Sequence, residues 1–155
     1  MTVRRVAPAL LPDHLFPTLT PAHIARIASH GVERHVSRAE VLVEPGVPTT
    51  RCFILTGCEA EVLRPVGDGE LVGVLRPGQF TGEINMLSGR PAVVRVQVSQ
   101  PGSVLEIDRE TLMAYLQRDS ELSDILLRAF IVRRAEMIAR SIGDLVLVGS
   151  THSPG

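Results

Sequence analysis

The segment from Gly78 to Val98, GQFTGEINMLSGRPAVVRVQV, holds residue types that could bind a phosphate group. A short apolar helix is predicted from Glu83 to Leu87. Its first N–H groups and the positive end of its dipole would face an anion. Gly82 directly precedes this helix and lets the backbone approach a ligand with no side chain in the way. The segment therefore predicts a phosphate-binding site.

Short strands must position this segment, because residues 32–107 are rich in Val, Ile and Leu and are divided by turn residues. Gly67-Asp68-Gly69 is typical of a hairpin tip and Pro101-Gly102 of another turn. Eight strands without a solenoid repeat are typical of a jelly roll. We predict a mainly β fold, with an eight-stranded jelly-roll β-barrel, an N-terminal helix and two C-terminal helices. The predicted strands are VERHV, EVLVEPG, RCFILTG, CEAEVLRP, ELVGVLRPG, QFTG, VVRVQVS and SVLEI.

Boundary residues predict where the helices begin and end. Thr20 and Pro21 are typical of a helix start, and Gly31 favours a left-handed end to that helix. After the strands, Asp108 is predicted to cap RETLMAYLQR, and Asp119 or Ser120 to cap a longer helix that runs to about residue 142.

The long C-terminal helix contains ILLRAFIV, which is apolar nearly all round. Such a helix has more than one face to bury. We expect one face to pack on the barrel and the other on a second copy, which predicts a homodimer through residues 119–142. Residues 1–18 could cover that second face instead.

Composition and spacing argue against several classes of protein. The net charge of −1 favours neither DNA nor a membrane surface, and the start has no apolar run long enough for a signal peptide, so we expect a cytoplasmic protein. Cys52 and Cys58 have five residues between them, unlike a redox pair, and are expected to be ordinary buried or half-buried thiols. The five histidines are too scattered for the metal site of a jelly-roll enzyme, so no metal is predicted.

The order of elements, with its Gly-Glu insertion, resembles the cyclic nucleotide-binding domain family over residues 18–142. EVLVEPGVPTTRCFILTGCEAEV is similar to the family's glycine-spaced strand pairs, and FTGEINMLSGRPAVVRV to its phosphate-binding cassette. The resemblance implies a non-catalytic regulatory domain that senses a cyclic nucleotide, cAMP or cGMP. It also implies base contacts from the helix after the barrel, where Arg128, Phe130 and Arg133 are candidates.

The resemblance gives Glu83 the role of accepting hydrogen bonds from a ribose hydroxyl. It places the family's phosphate-binding arginine on Ala92, and Val93 in place of the small residue that follows. Arg90 could substitute from its flexible corner, or could be an ordinary solvated arginine. Arg95 is a weaker candidate, because the valines that alternate with it form the core face. The predicted ligand-binding residues are Phe80, Thr81, Gly82, Glu83, Ile84, Arg90, Pro91, Ala92 and Val93.

Without the arginine, nucleotide affinity would fall by roughly tenfold to a hundredfold. The alternative function is therefore the same fold without a nucleotide, acting as a dimerisation or docking module. The retained Gly82 and Glu83 favour nucleotide binding, whereas Ala92 and Val93 favour the docking module. A different anionic ligand is a third alternative.

The predicted organisation is an N-terminal arm (1–18), the nucleotide-binding-like domain (19–142) and the first strand of a further α/β domain (143–155). GQFTGEINMLSGRP and the tail GDLVLVGSTHSPG resemble bacterial fusions of this domain to a flavin-dependent, thioredoxin-reductase-like enzyme. The resemblance implies that FAD and NADPH bind only in that downstream domain, which would be this domain's partner. The tail is strand-like and uncharged, unlike a helix-turn-helix, so no DNA partner is predicted.

Overall fold

The computed structural model describes residues 5–6, 17–82 and 88–133, and these form two facing β-sheets flanked by helices. All eight predicted strands are confirmed, and a short parallel strand, β1, adds to them. The strands are β1 (Arg5–Val6), β2 (Val32–Val36), β3 (Val41–Val43), β4 (Arg51–Leu55), β5 (Glu59–Arg64), β6 (Glu70–Leu75), β7 (Phe80–Thr81), β8 (Arg95–Gln100) and β9 (Gly102–Asp108).

The strands divide into a five-stranded sheet, β1-β6-β5-β8-β3, and a four-stranded sheet, β2-β9-β4-β7. All pairings are antiparallel except that of β1 with β6. The ladders of the described strands stay within each sheet, so the jelly roll is an open pair of sheets and not a fully closed barrel.

Two hydrophobic clusters lie on opposite faces of the four-stranded sheet. The inter-sheet cluster fills the space between the sheets and includes Phe53, Leu55 and Val104. The helix-side cluster includes Cys52 and Ile54. Neighbouring residues of β4 therefore enter different clusters, as the alternation of side chains along a strand requires. Burial on both faces explains the unbroken apolar run after Arg51.

Helix α1 (Pro21–Ala28) begins as the sequence predicts. The side chain of Thr20 accepts a hydrogen bond from the His23 N–H, and the ring of His23 accepts one from the Thr20 N–H. The prediction for Gly31 is wrong, because the residues described with a positive φ do not include it. Gly31 instead permits close packing, since a Cβ there would lie 2.7 Å from Ile107 Cγ1.

Helix α2 (Arg109–Leu116) and helix α3 (residues 120–133) follow β9. The Asp108 carboxylate accepts from the Thr111 N–H at 2.8 Å, which confirms this cap. Asp119 caps α3, since its carboxylate accepts from the Leu122 N–H at 3.1 Å.

Asp119 also joins α3 to the rest of the domain. Its carboxylate accepts from the Tyr115 hydroxyl at 2.7 Å and forms an ion pair with Arg26 at 3.1 Å. The Leu122 N–H and then the Tyr115 hydroxyl hold the pKa of Asp119 below its usual range. This charge network fixes the start of α3 beside α1.

Several predictions lie outside the described residues. These are the cassette helix, most of the N-terminal arm, the last part of the long helix and the strand expected after residue 142. Among the helices that are described, none combines the length and apolar character that a membrane crossing requires.

The helix-side cluster should determine stability through residues such as Leu112, which is 1% exposed, while its neighbour Met113 is 38% exposed. We expect Leu112→Ala to lower the free energy of unfolding by about 2–5 kcal/mol, because it leaves a cavity. Met113→Ala is the matched control and should cost less than about 1 kcal/mol. Urea denaturation measures both, and equal costs for the two variants would contradict this packing.

The thiols of Cys52 and Cys58 are both buried and are not joined in a disulfide, as expected. Burial raises the pKa of the Cys58 thiol to about 11. In a Cys52→Ala variant, alkylation of Cys58 at neutral pH should be at least about a hundredfold slower in the folded protein than in urea, because the thiolate is scarce. The rate should rise as the pH approaches the pKa. Rapid labelling of the folded variant at neutral pH would contradict this placement.

Candidate functional site

Strand β7 brings the chain to the edge of the four-stranded sheet just before the predicted phosphate segment. It pairs with β4 in the register Phe80 with Ile54 and Thr81 with Phe53. Phe80 is fully buried in the helix-side cluster, and Thr81 is also buried. Phe80 and Thr81, the first two predicted site residues, are therefore structural residues of the core, and the chain continues from them to Gly82.

Gly82 lies so close to β4 that no other residue fits without a shift. Its φ is +90°, and a Cβ there would lie 2.5 Å from the carbonyl oxygen of Arg51 and 3.4 Å from the Thr49 methyl group. The glycine is needed both for its backbone conformation and for this contact. Glu83 and Ile84, the next predicted site residues, lie outside the described part of the chain.

On the other side of the cassette, one residue of 90–93 faces the core and the other three face solvent. Arg90, Pro91 and Val93 are exposed, whereas Ala92 is 4% exposed and belongs to the inter-sheet cluster. The Ala92 carbonyl accepts from the Gly46 N–H at 2.9 Å. An arginine at position 92 would place its charge in this apolar cluster unless an anion were there to pair with it.

The two candidate arginines differ in their partners. Arg95 lies outside the core face, as predicted, and its guanidinium donates to Glu44 Oε1 at 2.6 and 3.2 Å. The Arg90 guanidinium makes no hydrogen bond or ion pair with a described residue, and only its backbone N–H is bonded, to Ser88 Oγ. Arg90 is therefore the one of these two that keeps its charge available for a ligand.

A cavity of about 180 Å³ is lined by residues between 41 and 53, some of which lie next to Gly82. Thr49 and Arg51, two of the residues nearest to the missing Cβ of Gly82, also line this cavity. Its wall combines hydroxyl groups, charged groups and apolar side chains, which suits a compact ligand with both polar and apolar parts. The lining residues are Val41, Leu42, Glu44, Val47, Pro48, Thr49, Thr50, Arg51 and Phe53.

Sequence reasoning did not associate residues 41–53 with the site. The only sequence signal is a turn rich in Gly, Pro and Thr between two strands, which is common in loops. The contact with Gly82 is long-range, and it arises because β7 pairs with β4.

The candidates on α3 have different environments. Arg128 is exposed and forms an ion pair with Asp124 at 3.1 Å, while Phe130 is half-buried. Arg133 is buried, and its guanidinium donates to the carbonyl oxygen of Phe80 at 3.2 Å. Arg133 thus contacts the strand that leads into the cassette. Across the described ranges, no cluster of three or more His, Cys, Asp or Glu side chains could hold a metal ion.

Comparison with known proteins relates this arrangement to a family and to solved folds. The model of the cyclic nucleotide-binding domain matches residues 33–119, more than half of the chain. A curated relative, the CRP-like cAMP-activated global transcriptional regulator of Mycobacterium tuberculosis, is 22% identical over 143 residues. This covers 91% of the present chain but 62% of the relative, so the chain spans less than two thirds of its length.

Two solved structures share the fold at low identity. The catabolite activator protein of Thermus thermophilus is 17% identical, with a TM-score of 0.64, over 88% of this chain and 63% of its own. The regulatory domain of Toxoplasma gondii PKA, crystallised with cAMP, is 22% identical, with a TM-score of 0.55, over 65% of this chain and 39% of its own.

The relatives correct the prediction that the protein has no DNA partner. That prediction is wrong, because the relative that matches nine-tenths of this chain is a transcriptional regulator. The net charge of one domain does not report on contacts made elsewhere in a longer protein. The tail used in that reasoning also lies outside the described residues.

The contact between Gly82 and β4 can be separated from simple backbone strain. Gly89 also has a positive φ, +71°, but nothing lies within 4 Å of its missing Cβ. We expect Gly89→Ala to lower the free energy of unfolding by about 1–2 kcal/mol from backbone strain alone. Gly82→Ala should cost more than about 2 kcal/mol, because the clash adds to the strain. Thermal or urea unfolding compares the two, and equal losses would argue against the close approach at β4.

Proposed function

The chain belongs to the cyclic nucleotide-binding domain family, and from that premise we propose that it senses cAMP, cGMP or a related phosphate ligand through a modified cassette. In this proposal the backbone at Gly82 and Glu83 holds the phosphate, and Glu83 accepts a hydrogen bond from a ribose hydroxyl. Arg90 supplies the positive charge that the residue at position 92 lacks. The domain itself is regulatory and carries out no reaction.

The main observation in support of this proposal is that the Arg90 side chain is exposed and available. Its exposed guanidinium is unpaired among the described residues and lies two positions before Ala92. An exposed arginine stays hydrated when no ligand is present, whereas a charge at position 92 would need a ligand to offset its burial. Because the positive charge is at Arg90 on the exposed turn and not at position 92, the core stays apolar when no ligand is bound.

The proposed site residues divide by what they can contribute. Phe80 and Ala92 are buried and support the site from the core, whereas Arg90, Pro91 and Val93 lie on its exposed side. The full proposed set is Phe80, Thr81, Gly82, Glu83, Ile84, Arg90, Pro91, Ala92 and Val93.

The second candidate function is a docking or dimerisation module that binds no nucleotide. It is favoured by the apolar environment of Ala92 and by an exposed apolar stripe on α3. Leu127 and Ile131 are 45% and 63% exposed and lie four residues apart, on one face of the helix. We propose that a second copy packs on this stripe, through the helix predicted for residues 119–142.

The regulated partner in this proposal is an attached enzyme domain. The resemblance of the cassette and tail supports an attached FAD- and NADPH-dependent, thioredoxin-reductase-like enzyme in the cytoplasm. Sensing would shift the population of two states of the whole protein by the ligand's difference in affinity, typically about 1–3 kcal/mol. Residues 143–155, where this partner would begin, lie outside the described part.

Calorimetric titration with cAMP and cGMP tests the site directly. We expect binding in the micromolar range, and we expect Arg90→Ala to weaken it by about tenfold to a hundredfold, because a charge-assisted bond to phosphate is lost. Arg118→Ala is the matched control, since Arg118 is exposed and its side chain is likewise unpaired among the described residues. It should leave the affinity unchanged.

Three results would change this conclusion. Affinity that survives Arg90→Ala would assign the phosphate to the cassette backbone alone. Equal losses in Arg90→Ala and Arg118→Ala would indicate a general charge effect. No heat with either nucleotide, together with an unchanged melting temperature, would favour the docking module.

A further inference from the structure

Arg133 is an unusual residue for its position in the helix-side packing. It is 6% exposed and lies at the last described turn of α3, where that helix packs on the four-stranded sheet. Burial of a charged group is costly, and an apolar side chain of similar length would often pack there without loss of stability. A role in orientation rather than in stability is therefore the better explanation for an arginine.

Two contacts of the guanidinium are with one residue of β7. The Nη1 group donates to the carbonyl oxygen of Phe80 at 3.2 Å. The guanidinium carbon also lies 4.8 Å from the centroid of the Phe80 ring, within the range of a cation–π contact. Arg133 therefore contacts both the backbone and the side chain of Phe80.

The register of β7 explains why this carbonyl is available to a helix. Among the described strands, β7 lies at the edge of its sheet, with β4 as its neighbour. The carbonyl of the preceding residue, Gln79, accepts from the Leu55 N–H at 2.8 Å and so points toward β4. Successive carbonyls of a strand point in opposite directions, so that of Phe80 points away from β4. Arg133 therefore donates to a carbonyl group on the side of β7 that faces away from β4.

The other end of the same short strand is held at the cassette. Gly82, two residues after Phe80, packs against the backbone of Arg51 and leaves no space there for a side chain. A ligand that shifts the chain after Gly82 must displace β7 or strain it. Phe80 is then the point at which such a shift reaches α3.

We propose that Arg133 is a positioning residue that couples the start of the cassette to helix α3, so that β7 and α3 move as one unit. The proposal that the cassette responds to a nucleotide rests on the proposed function. The physical link between β7 and α3 does not, and it exists in the ligand-free protein.

Amide hydrogen–deuterium exchange of the full chain tests the link without any ligand. In Arg133→Met we expect exchange in peptides covering 79–82 and 126–133 to rise by about tenfold or more, because a bond to a charged group is lost. The melting temperature should stay close to that of the wild type, since methionine fills a similar volume. Arg133→Lys keeps the charge without the planar guanidinium and should give intermediate exchange. Arg128→Met, an exposed arginine on the same helix, is the control and should leave 79–82 unchanged.

The second arm repeats the exchange with saturating cAMP or cGMP. Nucleotide at a concentration that saturates each variant should slow exchange in residues 126–133 of the wild type, and Arg133→Met should lose that protection of α3 whether or not its affinity changes. A merely structural role would not separate binding from protection in this way. If calorimetry shows that the wild type binds neither nucleotide, the proposed function fails while the ligand-free arm still decides the role of Arg133.

The coupling is overturned if exchange of residues 79–82 in Arg133→Met equals that in Arg128→Met. It is also overturned if α3 keeps its full nucleotide protection in Arg133→Met. Should Arg133→Met not fold, Arg133→Lys takes its place, and exchange equal to that of the Arg128→Met control has the same meaning.

Discussion

The four-stranded sheet must be covered on both of its faces, and the rest of the structure depends on this constraint. In β4, Phe53 and Leu55 face the other sheet while Cys52 and Ile54 face the helices. One face is covered by the five-stranded sheet, and the other needs α1, α2 and α3. The helices are therefore part of the core of this domain, and any movement of α3 changes the packing of the sheet that carries the candidate site.

The site lies where these two layers meet at the edge of the sheet. β7 contributes Phe80 to the helix-side cluster, and the chain then leaves the sheet at Gly82 beside the backbone of β4. Ala92, on the position predicted to correspond to the family's arginine, belongs to the inter-sheet cluster. The positive charge near this position is that of Arg90 on the exposed turn. Its guanidinium stays hydrated in the ligand-free state, so it has no desolvation penalty there. This arrangement keeps an apolar core without a ligand and leaves a cation beside the cassette.

Local patterns made the strands, the helix starts and the two faces of β8 predictable. Alternation marked Val96 and Val98 as core and Arg95 as outer, and the caps at Thr20, Asp108 and Asp119 are bonds made within a few residues. The prediction for Gly31 failed because two different requirements select glycine. A turn needs a left-handed backbone, but close packing on β9 needs only the absence of a Cβ.

The amino-acid sequence alone determined the strands of the jelly roll and the starts of its flanking helices, because periodicity, caps and turns act over short distances along the chain. Tertiary structure alone decided which arginine does what. Arg95 pairs with Glu44, which directly follows the neighbouring strand β3, Arg133 contacts Phe80 across 53 positions, and Arg90 has no partner among the described residues. The five guanidinium donors are alike in every arginine. Only the three-dimensional placement of acceptors distinguishes an ion pair, a buried contact and a free charge.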